Sequence, residues 1–189
     1  SDWPTYRHDN LRSGFSNNRV SEKLPEKWTT KLEGKLSAVT LAGNKLFVAR
    51  VNAHEVVALH SETGKELWRF TTGGRVDSPP SIHDGRAYFG SADGWVYCLR
   101  ASDGALVWRF RAAPEDRRLM AYEQLESVWP VHGSVLIREN QIYFVAGRSN
   151  FLDGGMRWFA LDALTGKKNI EVVLDDKEPG EEKSLQDRI

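Results

Sequence analysis

The chain has 189 residues, of which 26 are Lys or Arg and 26 are Asp or Glu, so its formal net charge is zero. This balance argues against a nucleic-acid-binding domain, which usually carries a basic excess, and against a polybasic segment for an anionic membrane surface. No apolar run approaches the roughly 18 residues of a membrane-spanning helix, and the first residues show no signal-peptide pattern.

The N-terminal segment lacks a strand period. Residues 1–23 are interpreted as a lead-in arm, and residues 24–32, which contain Trp28, as a single strand without partners upstream. Residues 36–70 then predict four short strands separated by turn signals, near 36–41, 45–51, 55–60 and 66–70.

The same pattern recurs twice. Residues 76–110 predict strands at 76–82, 86–90, 95–100 and 106–110, with the turn glycines Gly85, Gly94 and Gly104 between them. Residues 130–174 predict a third, more divergent copy. Residues 175–189 form a charged tail or a truncated loop.

A tryptophan repeat unites these units. Trp28, Trp68 and Trp108 are spaced by 40 residues, and Gly64 and Gly104 keep the same interval. Four antiparallel strands in about 40 residues make one blade of a β-propeller. The predicted fold is therefore all-β, a partial β-propeller of about three four-stranded antiparallel blades plus one orphan strand. A long β-sandwich, the rival fold, would not require the tryptophan register.

The repeat resembles the PQQ-like, quinoprotein-type propeller blade, whose pattern is Ala-x-Asp-x-x-Thr-Gly-x-x-x-Trp. The resemblance covers roughly residues 24–174, and the third copy has Ile170 where the tryptophan is expected. The matching residues are Ala58, Thr63, Gly64 and Trp68, then Gly104 and Trp108, then Ala160, Asp162, Thr165 and Gly166. The resemblance implies that Trp28, Trp68 and Trp108 dock between neighbouring blades, with Gly64, Gly104 and Gly166 as structural partners. Residues 2–14 are similar to the family's Trp-Pro…Arg…Gly lead-in, which lies against the ring.

A closed propeller needs about four to eight blades. We therefore expect the partners of this arc to be the remaining blades of a longer chain, or further copies that close the ring as a homo-oligomer. In a closed ring, the 24–32 strand would complete the last blade.

Two connections exceed the repeat and share one face of the blades. From Gly104 to Gly166 is 62 residues rather than 40, and the excess falls at 111–130, where Glu115 to Leu125 predicts a short helix, and at 147–155. Loops on a rigid scaffold gather binding groups. The candidates on this face are Arg117, Arg118, Tyr122, Glu123, Glu126, Arg148, Asn150, Asp153, Arg50, Asn52, His54 and Arg75. The alternative is that these side chains only pair with one another.

Two further candidates are predicted near the central channel. Counting back from Tyr88 and Tyr143 places Asp77 and His132 at equivalent positions near the start of the innermost strand. They either line the channel or make structural hydrogen bonds.

No catalytic or metal-binding motif stands out. The five histidines show no metal-ligand spacing, Gly73-Gly74 is a blade turn rather than a phosphate loop, and no nucleophile motif is found. The single cysteine, Cys98, excludes an internal disulfide and fits a small core residue. Quinoprotein alcohol dehydrogenases of the family carry an adjacent cysteine pair over the quinone, whereas Cys98 stands alone.

The sequence thus favours a non-catalytic binding or scaffolding surface for a protein, peptide or envelope polymer, without a cofactor. This resembles non-catalytic family members, among them the propeller lipoprotein of outer-membrane assembly, and implies export to the periplasm or cell envelope. One alternative is an arc of a quinoprotein dehydrogenase that uses PQQ and calcium. Another is a sensor propeller attached to a second domain.

Overall fold

The computed structural model describes residues 2–19 and 22–176. It contains three four-stranded antiparallel sheets, each a meander with sequential strands side by side. Blade one holds β1 (Leu36–Ala42), β2 (Lys45–Arg50), β3 (Glu55–His60) and β4 (Glu66–Thr71), with a 3-10 turn at Val51–Ala53. Blade two holds β5 (Ser81–His83), β6 (Arg86–Gly90), β7 (Trp95–Arg100) and β8 (Leu106–Arg111).

The third sheet follows a two-stranded hairpin. The hairpin comprises β9 (Arg118–Ala121) and β10 (Gln124–Ser127), and blade three comprises β11 (Leu136–Arg138), β12 (Gln141–Ala146), β13 (Met156–Asp162) and β14 (Lys168–Leu174). The all-β, partial-propeller prediction is therefore confirmed. No helix among the described residues is long and apolar enough to cross a membrane.

The innermost strand of blade two is shorter than predicted. It begins at Ser81 rather than at residue 76. Pro79 and Pro80 immediately precede it, and a proline cannot donate to a strand ladder, so regular pairing begins only after them.

The helix predicted at Glu115 to Leu125 is wrong, because this segment forms the β9–β10 hairpin. Tyr122 and Glu123 connect the strands with φ values of 51° and 60°, the left-handed pair typical of a two-residue hairpin turn. Leu119 pairs with Glu126 on the inner side, where Leu119 packs on the core. Side chains along the two strands alternate between the buried and the exposed side. This alternation, and not the helix-forming composition, decides the structure of the segment.

Tryptophan contacts link consecutive blades. The indole nitrogen of Trp68 donates to the Ala101 carbonyl at 3.1 Å, and that of Trp108 donates to the Ala163 carbonyl at 3.1 Å. Trp28 makes the same contact with the Ser61 carbonyl at 2.9 Å. A Cβ added to Gly64, Gly104 or Gly166 would come within 2.7 Å of the facing indole, so each ring lies directly against a glycine.

The strand interpretation of residues 24–32 has no counterpart in the secondary structure. Residues 22–32 form no strand within the part of the chain that the structure describes, although Trp28 and Leu32 pack against Val48, Val57 and Leu59 of blade one. The segment contacts blade one without any strand partner of its own. Most of the charged tail, residues 177–189, lies outside the described residues.

The N-terminal arm crosses the inner strands of all three blades. Trp3 pairs with Leu41 of β1, and the Pro4 carbonyl accepts from the Ile82 amide of β5 at 2.7 Å. The Asn10 amide donates to the Ile137 carbonyl of β11 at 2.6 Å. These three contacts lie beside the turns between first and second strands, away from the hairpin, so the arm ties the blades together on the opposite side.

Close packing between blades two and three yields a first prediction. A Cβ at Gly90 would approach the Cγ1 of Val131 to 2.3 Å and its carbonyl oxygen to 2.6 Å. We expect Gly90→Ala to lower the free energy of unfolding by about 1–3 kcal/mol, because the backbone of Val131 must move. Urea denaturation measures this change. The matched control Gly133→Ala, where a Cβ meets nothing within 4 Å, should be near neutral, and equal losses in both variants would contradict the prediction.

Candidate functional site

A central cleft opens where the three blades meet the hairpin. It has a volume of about 400 Å³ and is lined by Lys35, Val51, Asn52, Arg75, Asp77, Tyr122 and His132. Lys35 precedes β1, Asp77 precedes β5 and His132 precedes β11, so each blade contributes from the start of its innermost strand. Tyr122 enters from the tip of the hairpin. The predicted channel positions Asp77 and His132 thus line this cleft.

Four charged or polar side chains contact one another in series at the cleft wall: Glu126, Arg75, Asp77 and His132. The Arg75 guanidinium donates to Glu126 Oε2 at 2.8 Å and lies 3.4 Å from Asp77 Oδ1. The other Asp77 oxygen lies 2.6 Å from His132 Nδ1. Arg75 and Glu126 are almost fully buried, with side chains 5% and 2% exposed, so this pair interacts in a largely desolvated site.

Glu126 is only partly satisfied. Its Oε1 atom has no hydrogen-bond donor among the described residues, and the Arg148 guanidinium lies 3.7 Å away, an ion-pair distance that is too long for a hydrogen bond. The carboxylate therefore depends on Arg75 for its one strong hydrogen bond.

Asp77 is held in its ionised form. Burial alone would raise the pKa of Asp77, but the hydrogen bond and charge of His132, together with Arg75, lower it below its ordinary value. The ionised Asp77 accepts a hydrogen bond from Nδ1–H of His132, so Nε2 of the neutral ring is the accepting nitrogen.

This arrangement gives a pH prediction. Because the folded pKa of Asp77 is lowered, its stabilising contribution is complete above the unfolded value of about 3.9 and is lost as the pH falls through the folded pKa. We expect Asp77→Asn to reduce the free energy of unfolding near pH 7 and to reduce it by less near pH 3, below the unfolded pKa. Urea denaturation at both pH values tests this. A deficit that stays constant with pH would show that the carboxylate charge is not responsible.

The hairpin is anchored to blade three. Arg117 forms an ion pair with Asp153 at 2.6 Å, and its guanidinium lies 4.9 Å from the centre of the Trp129 ring. The Trp129 indole donates to the Asp153 carbonyl at 3.1 Å. The two insertions are therefore joined. On the other side, His54 Nε2 lies 2.8 Å from Gln124 Oε1, which links the hairpin to blade one.

Large apolar side chains remain exposed on both insertions. Met120 and Leu125 face each other across the hairpin and are 68% and 50% exposed, and Tyr122 at the tip is 82% exposed. Phe151 and Leu152, in the joined 147–155 loop, are 51% and 55% exposed. We call these five residues the insertion surface. Large apolar side chains left exposed on neighbouring loops are typical of interaction sites.

The structure brings only some of the predicted residues together. Arg75, Tyr122 and Glu126 gather at the central cleft with Asp77 and His132, and Arg148 faces Glu126. Arg117 and Asp153 pair with each other, whereas Arg118 pairs with its near neighbour Asp116 at 3.0 Å. Arg50 pairs with Glu55 instead of joining the cleft, and Glu123 and Asn150 are exposed.

Lys35 was missed by the sequence reasoning. The blade register contained a signal for it. Leu41 has the same register position in blade one as Ile82 and Ile137 in the other blades. The position that precedes it by the same interval as Asp77 precedes Ile82 is Leu36. Lys35 is one residue earlier. Gln124 was also missed, because its segment was expected to be helical.

The carboxylates beside the cleft are paired within the protein. Among the described residues, no group of three or more His, Cys, Asp or Glu side chains is arranged to hold a metal ion. Asp77 is engaged by Arg75 and His132, and Glu126 by Arg75. Cys98 is buried inside blade two, where burial raises the pKa of its thiol to about 12.

Comparisons with known proteins agree with the fold. At 34% identity over 70 residues, the chain matches an outer membrane protein assembly factor BamB from Moranella endobia, covering 37% of this chain and 18% of that protein. It is 28% identical over 137 residues to the dehydrogenase subunit of a quinone alcohol dehydrogenase from Gluconobacter oxydans, covering 66% and 17%. Each match thus covers less than a fifth of the relative's length.

Solved structures show the same architecture. A quinohemoprotein alcohol dehydrogenase from Pseudomonas putida superimposes with a TM-score of 0.74 at 16% identity, covering 91% of this chain and 26% of that one. The family model described as outer membrane protein assembly factor BamB matches residues 18–187. The chain belongs to this family of PQQ-like propellers.

Proposed function

We propose that this chain is part of a non-catalytic PQQ-like propeller that binds a protein or peptide partner through its insertion surface. The observation that carries the proposal is the exposure of Met120, Tyr122 and Leu125 on a hairpin that departs from the blade repeat. The opposite side of the hairpin is attached to the blades through the half-buried Leu119 and the buried Glu126. A hairpin that is fixed on one side and apolar on its exposed side is suited to binding a protein partner, because little conformational entropy is lost on binding.

The edge of the hairpin supports the same role. β9 pairs only with β10 among the strands that the structure describes, so one edge of this small sheet carries no further strand. An extended segment of a partner could add a strand there, with side chains that contact Met120 and Leu125.

Site-specific photocrosslinking tests the proposal. A benzophenone amino acid placed at Tyr122 in the host cell should capture a discrete protein adduct. The same group at Lys65, an exposed residue beyond the turn after β3 and away from the insertion surface, should not. The absence of adducts at Tyr122, or equal adducts at both positions, would refute the docking role.

Partners and location follow from the same proposal. Apolar side chains on the outer strand β14 are between 42% and 47% exposed, namely Ile170, Val172, Val173 and Leu174. Such exposure is expected where another blade packs against this one. We expect further blades of a longer chain, or further copies of this one, to cover it. Relatives named for outer-membrane protein assembly favour a place in the cell envelope.

The second candidate function is an arc of a PQQ-dependent dehydrogenase. It is favoured by the 137-residue match to a quinone alcohol dehydrogenase subunit. The donor set of the cleft argues against it, because both nearby carboxylates are already engaged. Dye-linked alcohol oxidation after adding PQQ and calcium would overturn the non-catalytic proposal. Absence of quinone absorbance in the protein after gel filtration would exclude the dehydrogenase reading of this chain.

A further inference from the structure

We propose that the central cleft is a binding site for a small oxyanion, a carboxylate or phosphate group of a soluble ligand, held by Lys35, Asn52 and Tyr122. This site is distinct from the insertion surface, with which it shares only Tyr122. The inference rests on which polar groups in the cleft are already satisfied within the protein and which are still free to meet a ligand.

Both acidic groups near the cleft already have a cationic or hydrogen-bonding partner, although Glu126 Oε1 lacks a hydrogen-bond donor. Asp77 accepts from His132 at 2.6 Å and from Arg75 at 3.4 Å, and Glu126 lies behind the wall, bonded to Arg75. Neither carboxylate is left without a cationic or proton-donating neighbour. A cationic ligand would therefore have to displace an existing ion pair, at a cost that an anionic ligand avoids.

The remaining groups are donors. Within residues 2–19 and 22–176, no carboxylate lies within ion-pair distance of the Lys35 ammonium, although Lys35 lines the cleft. The Asn52 amide and the Tyr122 hydroxyl also line it. These are the donor types that bind carboxylate and phosphate oxygens.

The local charge favours an anion. Lys35, Arg75 and Arg148 supply three positive charges against the two carboxylates Asp77 and Glu126, which leaves an excess of one.

Histidine side-chain NMR provides the test. Sulfate is titrated at about pH 7.5 and at fixed ionic strength, with acetate as a parallel carboxylate probe. We expect a saturable shift of the His132 ring, which lines the cleft and is assigned through His132→Asn. Tighter binding of one probe identifies phosphate-like or carboxylate chemistry, and either result supports the site.

Matched variants decide the outcome. Lys35→Met should weaken sulfate binding by about fivefold or more, Lys35→Arg should retain it, and Lys65→Met, which removes an exposed lysine outside the cleft, should leave it unchanged. Thermal melts confirm that each variant is folded. Non-saturable shifts, or equal losses in Lys35→Met and Lys65→Met, would overturn the proposal. Neither result depends on the photocrosslinking experiment, because Lys35 lies outside the insertion surface.

Discussion

Replacing Trp68 by alanine is expected to lower the free energy of unfolding by about 3–5 kcal/mol, the usual cost of removing a buried tryptophan. The side chain lies between blades one and two, only 8% exposed, with its ring against Gly104 and within 5.9 Å of the Phe47 ring centre. Its indole nitrogen donates to the Ala101 carbonyl, which would lose its partner. Denaturation in urea, followed by tryptophan fluorescence and circular dichroism, measures the loss.

Two comparisons separate docking from general damage. Leu67→Ala, at an exposed neighbour in the same strand, should change the free energy of unfolding by less than about 0.5 kcal/mol. Trp68→Phe should recover part of the loss, because it restores apolar area but not the hydrogen bond to Ala101. If Trp68→Ala costs no more than Leu67→Ala, the indole does not hold the blades together.

The blade architecture could be predicted because its signals are local and repeated. Strand periods, turn glycines and the 40-residue tryptophan interval all coincide in blade two, where three of the four predicted strands match closely. A fold can be predicted from sequence when several independent patterns indicate the same structure. The remaining strand, β5, is the first strand of blade two, and its predicted start at residue 76 is too early. Pro79 and Pro80 interrupt the strand pairing before Ser81.

The insertions were less predictable because they lack a repeat to set their register. The segment from Glu115 to Leu125 contains good helix formers, yet it forms a hairpin in which Leu119 and Glu126 occupy the inner side. Burial of a glutamate there depends on Arg75, which is 51 residues away in the sequence. Only tertiary contact reveals such a partner, so a local pattern could not have identified it.

The cleft residues show the same difference between what a local pattern predicts and what tertiary contacts add. Counting by blade register placed Asp77 and His132 at equivalent positions, but their direct contact at 2.6 Å depends on the angle between neighbouring blades. Register could also have pointed close to Lys35, since it precedes the equivalent position by one residue. Sequence thus locates the rim of the channel, whereas geometry shows which side chains on it are paired and which are free.

Replacing Arg75 by methionine is expected to lower the free energy of unfolding near pH 7 by about 3–5 kcal/mol, because it leaves a buried carboxylate without its main partner. Glu126 is 2% exposed, and its remaining cationic neighbour, Arg148, is 3.7 Å away. Arg75 also supports Tyr122, whose ring centre lies 4.6 Å from the guanidinium, so the hairpin tip should become more mobile. Urea denaturation gives the stability change, and amide hydrogen exchange across residues 118–127 reports on the hairpin.

The double variant Arg75→Met/Glu126→Leu provides the decisive comparison. It removes both charges and fills the space with apolar side chains, so it should recover most of the stability lost in Arg75→Met. Arg118→Met serves as the control, because Arg118 is about half exposed and, among the described residues, pairs only with Asp116. Such an exposed pair contributes about 0–1 kcal/mol. If the double variant is as unstable as the single one, the loss comes from the packing of the Arg75 side chain and not from the uncompensated charge of Glu126. In that case the hairpin would be held by contact area, and its attachment to the blades should depend little on pH.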